Sequence, residues 1–449
     1  MTEQKLREAA PAVGRPLRRI LGQGFGVAVI FGGMVGVGIL RLPGVIAGQV
    51  GSPWLIVTVW VAGAVYALLG AVSLAEVATA LPQAGGFYIY ARRAFGPMAG
   101  FVQGWADWLS NCAVIAYGTV TAAEYAGALV PRLLNWPRAT ALAILIGFLA
   151  LHLAGLPLSS RVQKLASSMT AVTFLVLAVA CFAHSGAAKS MGASVHGLTL
   201  AALVVAFRAI VVTYDGWYEA IYFAEEDTDA ARHLPRAMMG GLGLVLLLYL
   251  VMNFAFLHVF SIPQLAASTL PAADAARMVF PAWGGNFVTL LALMTLLSLV
   301  NAVLLGAPRI LLAIGRDGLF SARAAMVAES GTPVGAMLFT TAAATLMIVS
   351  SHFDEILAMA AVLVTGTYAV NYAAVIVLRL REPGLARPFR AWGYPVTTLL
   401  ALTGSLVFLA ATIHDDVRSA LRTAVLLGLA LPLYGWMRWR RTRREPLST

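Results

Sequence analysis

Apolar residues in this chain run in long, nearly unbroken blocks separated by short polar stretches. Twelve blocks stand out, at 24–47, 53–80, 97–130, 138–157, 160–184, 199–224, 237–260, 284–314, 334–351, 355–378, 394–414 and 420–437. A helix crossing the hydrocarbon core needs about 20 mostly apolar residues. The pattern therefore predicts an all-α membrane protein with twelve spans. Several blocks exceed the hydrocarbon thickness, so tilt or breaks are expected. The ~10-residue alternation of a membrane barrel is absent. The longest polar connections are Glu225–Arg236, Ala322–Thr332 and Arg379–Trp392, too short for an inserted soluble domain. The expected organisation is a tail at 1–21, a core of ten spans at 22–390, two further spans at 391–437 and a basic tail at 438–449.

Composition agrees. Of 449 residues, 60% are hydrophobic and 11% charged, against roughly 25% charged in soluble chains. The net charge of +11 raises the question of nucleic acid, and its distribution answers it. With twelve spans, 22 of the 31 lysines and arginines fall on the side of both termini, 6 on the other, and Arg41, Arg208 and Arg309 within spans. Positive loops stay cytoplasmic, which predicts both termini inside a cytoplasmic membrane. Arg438–Arg444 then reads as a topology anchor. The first apolar block is too long for a signal peptide and is expected to be retained. Cys112 and Cys181 lie inside spans, and the seven histidines show no metal-ligand spacing. No G-x-G-x-x-G follows a strand. No cofactor, nucleic acid or obligate protein partner is indicated.

Two spans read as broken. Span 1 holds Gly32, Gly33, Gly36 and Gly38, and span 6 holds Tyr214-Asp215-Gly216-Trp217 in its middle. Glycine weakens a helix by ~1 kcal/mol per residue, and aspartate competes for backbone hydrogen bonds. Backbone freed in lipid survives only where it lines a cavity. If spans 1–5 and 6–10 are repeats, the two breaks match, and paired breaks point to a transporter's binding site. The competing reading of span 1 is packing, with Gly22-x-x-x-Gly26 and Gly32-x-x-x-Gly36 as small-residue contacts.

Arg41, Glu76, Asp107, Glu124, Arg208, Asp215, Glu219 and Arg309 sit in apolar stretches, at ~2.5–3.5 kcal/mol each in mid-membrane. Asp107 and Arg309 read as end positions able to snorkel. Arg208, Asp215 and Glu219 would share one face of a continuous helix. With Arg41 they form either a neutralised ion network or a functional site. In the second case Asp215 or Glu219 meets a substrate ammonium or carries a coupling proton.

Four segments carry a family resemblance. They are Gly36-Val37-Gly38-Ile39-Leu40 with Pro43; Leu74-Ala75-Glu76 through Leu81-Pro82, Gly85-Gly86-Phe87-Tyr88-Ile89-Tyr90 and Phe95-Gly96-Pro97; Tyr214–Trp217 with Glu225-Glu226 and Leu234-Pro235-Arg236; and Val300-Asn301 with Arg309 and Arg316-Asp317-Gly318. In this order they resemble the amino acid–polyamine–organocation (APC) superfamily, and within it the L-type amino-acid transporter branch. The resemblance implies a five-plus-five inverted-repeat core, with broken helices 1 and 6, plus two C-terminal helices. It implies that backbone N–H groups near Gly36, Val37, Gly38 and Ile39 bind a substrate carboxylate. It implies that carbonyls near Met34, Val212 and Asp215 receive the ammonium, with Tyr214, Gly216 and Trp217 completing the site.

The departures from the family pattern bear on coupling. Asp215 stands where the family has glycine, and Val212 where it has an aromatic gate. Thr170 occupies a position that is lysine in many members. Leu299 replaces a serine, with Ser298 adjacent. Asp215, Glu219, Thr170 and Ser298 are the coupling candidates, for a proton or sodium ion. The expected function is secondary amino-acid transport by alternating access. A cationic amino-acid or polyamine carrier is the alternative favoured by the two acids, and a membrane receptor is a remote one. An enzyme would show a nucleophile–base or metal set, and none is visible.

Overall fold

The computed structural model describes residues 16–36, 38–184, 199–350 and 353–444. Val37, Lys189 and most of the 1–21 tail lie outside them, as do the side chains of Arg208 and of 353–359. The described residues are helical almost throughout, with one isolated bridge between Leu21 and Asp227.

The helices in order are α1 Gln23–Met34, α2 Gly38–Val50, α3 Pro53–Ala80, α4 Phe87–Phe95, α5 Pro97–Leu129, α6 Pro137–Leu153, α7 Leu156–Ala183, α8 Leu200–Thr213, α9 Ala230–Val259, α10 Ile262–Ala267, α11 Pro271–Val279, α12 Gly284–Arg316, α13 Val334–Ser350, α14 Phe353–Arg381, α15 Val396–Asp415, α16 Val417–Gly428 and α17 Ala430–Arg444. Each of the twelve predicted spans contains helix, with interruptions inside spans 1 and 6. Among the described residues, eight spans are long and apolar enough to cross a bilayer alone. The pair α1 and α2 forms a ninth, bent by 51° at its break. Helices α6 and α13 are shorter apolar helices at spans 4 and 9. Span 6 is divided between α8 and a 3-10 turn at Glu219–Phe223. The protein is a multi-pass membrane protein.

Sequence explains the main boundaries. Proline at the first turn starts α3, α5, α6 and α7, where its missing N–H is not needed. Helix α5 has 33 residues and spans ~50 Å at 1.5 Å per residue, so it must tilt. Helix α12 is buried along most of its length and forms the centre of the bundle. Trp54, Trp136 and Trp283 are exposed at the starts of α3, α6 and α12, Trp392 in the turn before α15, and Trp436 and Trp439 within α17. Exposed tryptophans of this kind suit the two membrane–water boundaries, which the ring favours.

Candidate functional site

Helix α1 ends at Met34, Val35 is extended, and the helix resumes at Gly38. Helix α8 ends at Thr213, and residues 214–218 form turns before the 3-10 segment. The two breaks touch. Gly216 has φ +100°, and a Cβ there would lie 2.8 Å from the Gly33 carbonyl carbon and 3.1 Å from the Met34 nitrogen. Glycine is thus required at 216 both for its backbone angle and for this close approach. Tyr249 of α9 joins them: its hydroxyl lies 3.0 Å from the Met34 carbonyl and 3.1 Å from that of Thr213. Both carbonyls sit at helix C-termini, where intrahelical partners run out.

Around this junction the predicted site residues take distinct places. A Cβ on Gly36 would meet nothing within 4 Å, whereas one on Gly38 would lie 3.1 Å from Thr213 Cγ2. Packing accounts for Gly26, whose Cβ would sit 2.8 Å from Ala237 Cβ, but not for Gly36. The first N–H groups of α2, from Gly38 and Ile39, lack partners within the helix. Met34, Tyr214, Gly216 and Trp217 are buried. Val212 is 58% exposed, and its carbonyl accepts the Asp215 N–H at 3.3 Å. Asp215 accepts a hydrogen bond from the Tyr368 hydroxyl of α14. Tyr368 stacks on Trp217 at 5.7 Å.

Three expectations about charge need correction. Helix α8 ends before Asp215, so Arg208, Asp215 and Glu219 do not share a continuous helical face. Arg41 is exposed, and among the described side chains no arginine pairs with Asp215 or Glu219. Asp107 and Arg309 do not snorkel either; they are 2% and 1% exposed. Ten residues into α5, Asp107 stands ~15 Å from the helix start, too deep to reach water. It accepts hydrogen bonds from Tyr222 at 2.8 Å and Asn111 at 3.1 Å. Arg309 grips Glu226 with two bonds, at 2.9 and 3.0 Å, and lies over the Phe223 ring.

That pair belongs to a belt on the side of the termini. Arg316 pairs with Glu225 at 2.7 Å, and Asp317 with Arg92 and Tyr88. Arg93 pairs with Glu382 at 2.8 Å. Glu76 holds Arg379 and, at 3.1 Å, Arg387. The motif residues Glu76, Tyr88, Glu225, Glu226, Arg309, Arg316 and Asp317, far apart in sequence, thus lock one face of the bundle. The N-terminal segment adds to it, since Ile20 and Leu21 both donate to the Glu226 carbonyl at 3.0 Å.

The coupling candidates separate. Ser298 of α12 belongs to a buried polar chain with Gln163 and Ser167 of α7. The Gln163 amide nitrogen lies 3.2 Å from Ser298 Oγ, 3.1 Å from Ser167 Oγ and 3.3 Å from the Ala28 carbonyl of α1. Its oxygen accepts from Asn301 at 2.6 Å, and Asn301 meets His152 at 2.8 Å. A Cβ on Gly32 would strike Ser298 Oγ at 2.7 Å. Thr170 is buried, with no partner for its hydroxyl among the described residues. Glu219 is 2% exposed and its Oε2 has no hydrogen bond there. Sequence reasoning missed Gln163, although Gln163, Ser167 and Thr170 repeat at i, i+4, i+7 and so mark one polar stripe. It missed Tyr249 and Tyr368 for lack of any such periodicity.

A cavity of about 860 Å³ lies elsewhere, between α5, α14, α15 and α16. Its lining is nearly all apolar and offers nothing to satisfy both charged ends of an amino acid.

The chain resembles known transporters over nearly its whole length. It is 28% identical over 446 residues to the serine/threonine exchanger SteT of Bacillus subtilis (strain 168), covering 95% of this chain and 98% of that protein. It is 26% identical over 407 residues to the human b(0,+)-type amino acid transporter 1, covering 88% and 82%. It is 28% identical over 414 residues to the rat large neutral amino acids transporter small subunit 2, covering 88% and 76%. The family model described as "Amino acid permease" matches residues 26–431, so this chain belongs to the amino acid permease family and is a transporter rather than an enzyme.

Proposed function

We propose that the substrate of this amino-acid transporter binds across the two helix breaks. The observation that carries the reading is their direct contact, with Gly216 on the Gly33–Met34 backbone and Tyr249 on both carbonyls. The α-carboxylate meets the backbone N–H groups at Gly36, Val37, Gly38 and Ile39, where the start of α2 favours negative charge. The α-ammonium meets Asp215 and the carbonyl end of α1 at Met34. A charge-assisted bond to a carboxylate is stronger than one to a carbonyl, and the Val212 carbonyl is already engaged. Tyr214, Gly216 and Trp217 shape the pocket, and Val212 leaves it without an aromatic gate.

Transport then proceeds by alternating access, with spans 1–5 and 6–10 as inverted halves, spans 11 and 12 added, and both termini cytoplasmic. In the coupling region, Gln163 ties Ser167, Ser298 and Ala28 together. The two N–H donors of this amide stand among three oxygens that would serve a cation, and the Ser167 hydroxyl already donates to the Ala28 carbonyl at 2.7 Å. We read this transporter as sodium-independent, with a proton at Asp215 or Glu219, or exchange of substrates, providing the coupling. Thr170 adds at most one hydroxyl, and cation sites need several oxygens.

The test is uptake and binding of amino acids by the purified protein in liposomes, with Gly36→Ala beside wild type. A methyl placed in the open space at Gly36 blocks substrate without disturbing the fold. Normal binding by Gly36→Ala would remove the carboxylate from this break.

A further inference from the structure

Every buried acid in the described part of the chain but two has a basic partner. Glu76 has Arg379 and Arg387, Glu226 has Arg309, and Asp227 has His233. The two exceptions are Asp107 and Glu219. Each is 2% exposed, and each keeps one carboxylate oxygen, Asp107 Oδ2 and Glu219 Oε2, without a hydrogen bond. They lie near each other. Tyr222 donates to Asp107 at 2.8 Å, and a Cβ on Gly306 would meet the same Tyr222 ring at 3.0 Å and Glu219 Oε2 at 3.2 Å.

The walls are aromatic. Tyr222, Tyr218, Phe87 and Tyr368 touch in sequence, with centroids 5.0–6.3 Å apart. Ring faces attract organic cations. Glu219 is also one step beyond Asp215 in space. Four residues of chain separate them, turning at Gly216 with φ +100°, so one extended diamine or basic side chain can address both acids.

We propose that Asp107 and Glu219 form a distal subsite that takes the side-chain ammonium of a basic amino acid or the second amine of a diamine. The proposal rests on the breaks being the α-amino-acid site, with Asp215 at the near ammonium. The charged and titratable groups facing the subsite are few. Helix α5 contributes Asp107, the 214–223 segment contributes Asp215, Tyr218 and Tyr222, and α14 contributes Tyr368. Helix α1 presents only Gly33. Helix α12 presents Gly306, and its Arg309 is held by Glu226. In this conformation both acids are buried, and Gly33 packs on Glu219, where a Cβ would lie 2.8 Å from Glu219 Cγ. Entry requires α1 to separate from the 216–219 segment, a motion that alternating access supplies.

The experiment measures binding of lysine, ornithine, putrescine, serine and leucine to the full-length protein, wild type and Glu219→Gln, Asp107→Asn and Glu219→Asp, with thermal stability of each. The expected result is wild-type binding of at least one basic probe, with the basic-to-neutral affinity ratio falling more than tenfold in Glu219→Gln and Asp107→Asn. Glu219→Asp should restore part of it. An unchanged ratio in folded variants overturns the subsite. So does a wild type that binds serine or leucine but no basic probe; a pH dependence of neutral uptake lost in Glu219→Gln would then assign the pair to a proton. Putrescine binding without any amino acid would keep the subsite and sink the amino-acid site at the breaks. A wild type that binds no probe at all overturns both.

Discussion

The hydroxyl of Tyr249 lies 3.0 Å from the carbonyl oxygen of Met34, the last helical residue before the first break. The same hydroxyl reaches the Thr213 carbonyl, at the end of the helix before the second. One buried side chain on α9 thus supports both interruptions. Tyr249→Phe keeps the ring contacts with Trp60 and Tyr214 and removes only the donor. A buried carbonyl left without its donor costs ~1–3 kcal/mol. The expected outcome is a lower melting temperature together with weaker amino-acid binding, read by thermal unfolding in detergent with and without substrate. A variant with unchanged affinity would show that the Tyr249 hydroxyl supports the helices alone.

The two glycines of the first break should respond differently to substitution. Gly38 already packs at contact distance on Thr213, and Gly36 has open space. Gly38→Val should therefore lower stability and abolish uptake together. Gly36→Ala should abolish binding with stability near that of wild type. Thermal melting and equilibrium binding of the two proteins, side by side, check the distinction.

Arg309 and Glu226 form a buried pair whose partners are useful only together. Removing one leaves an uncompensated buried charge, at about 3–5 kcal/mol. Arg309→Met should destabilise the protein by that order, and Arg309→Met with Glu226→Leu should recover much of it. Melting temperatures of the two singles and the double give the coupling. Because the pair belongs to the belt that closes the side of the termini, the double variant should also label more readily at a cysteine introduced there.

Replacing sodium by choline should leave uptake intact, since the Gln163 amide already engages Ser167, Ser298 and Ala28. Complete loss of transport in choline would contradict that assignment. Gln163→Ala should weaken transport in both salts by loosening α7 from α1 and α12.

Hydropathy alone located the spans, because lipid makes each of them a continuous apolar block. Both breaks were legible too: four glycines cluster in one span, and Asp215-Gly216 stands in the middle of another. What joins them was not. Tyr249 and Tyr368 look like ordinary aromatic residues of apolar helices, and Arg309 meets Glu226 across 83 residues of sequence. Depth was misjudged at Asp107, where counting turns from Pro97 would have placed it near mid-membrane. Arg41 is exposed and does not neutralise Asp215, because position in a block says nothing about which face a side chain takes; the Arg208 side chain lies outside the described residues.

The most direct test of amino-acid recognition across the breaks is the affinity of Asp215→Asn for a transported amino acid. The substitution keeps size and most acceptor capacity, and it keeps an oxygen for Tyr368, but it removes the charge. A structural role needs mainly that hydrogen bond, whereas ammonium recognition needs the charge. The account predicts affinity weaker by more than tenfold, about 1.4 kcal/mol, with melting temperature unchanged, measured by equilibrium binding to the purified protein. Wild-type affinity in Asp215→Asn, with only a lower melting temperature, would contradict it.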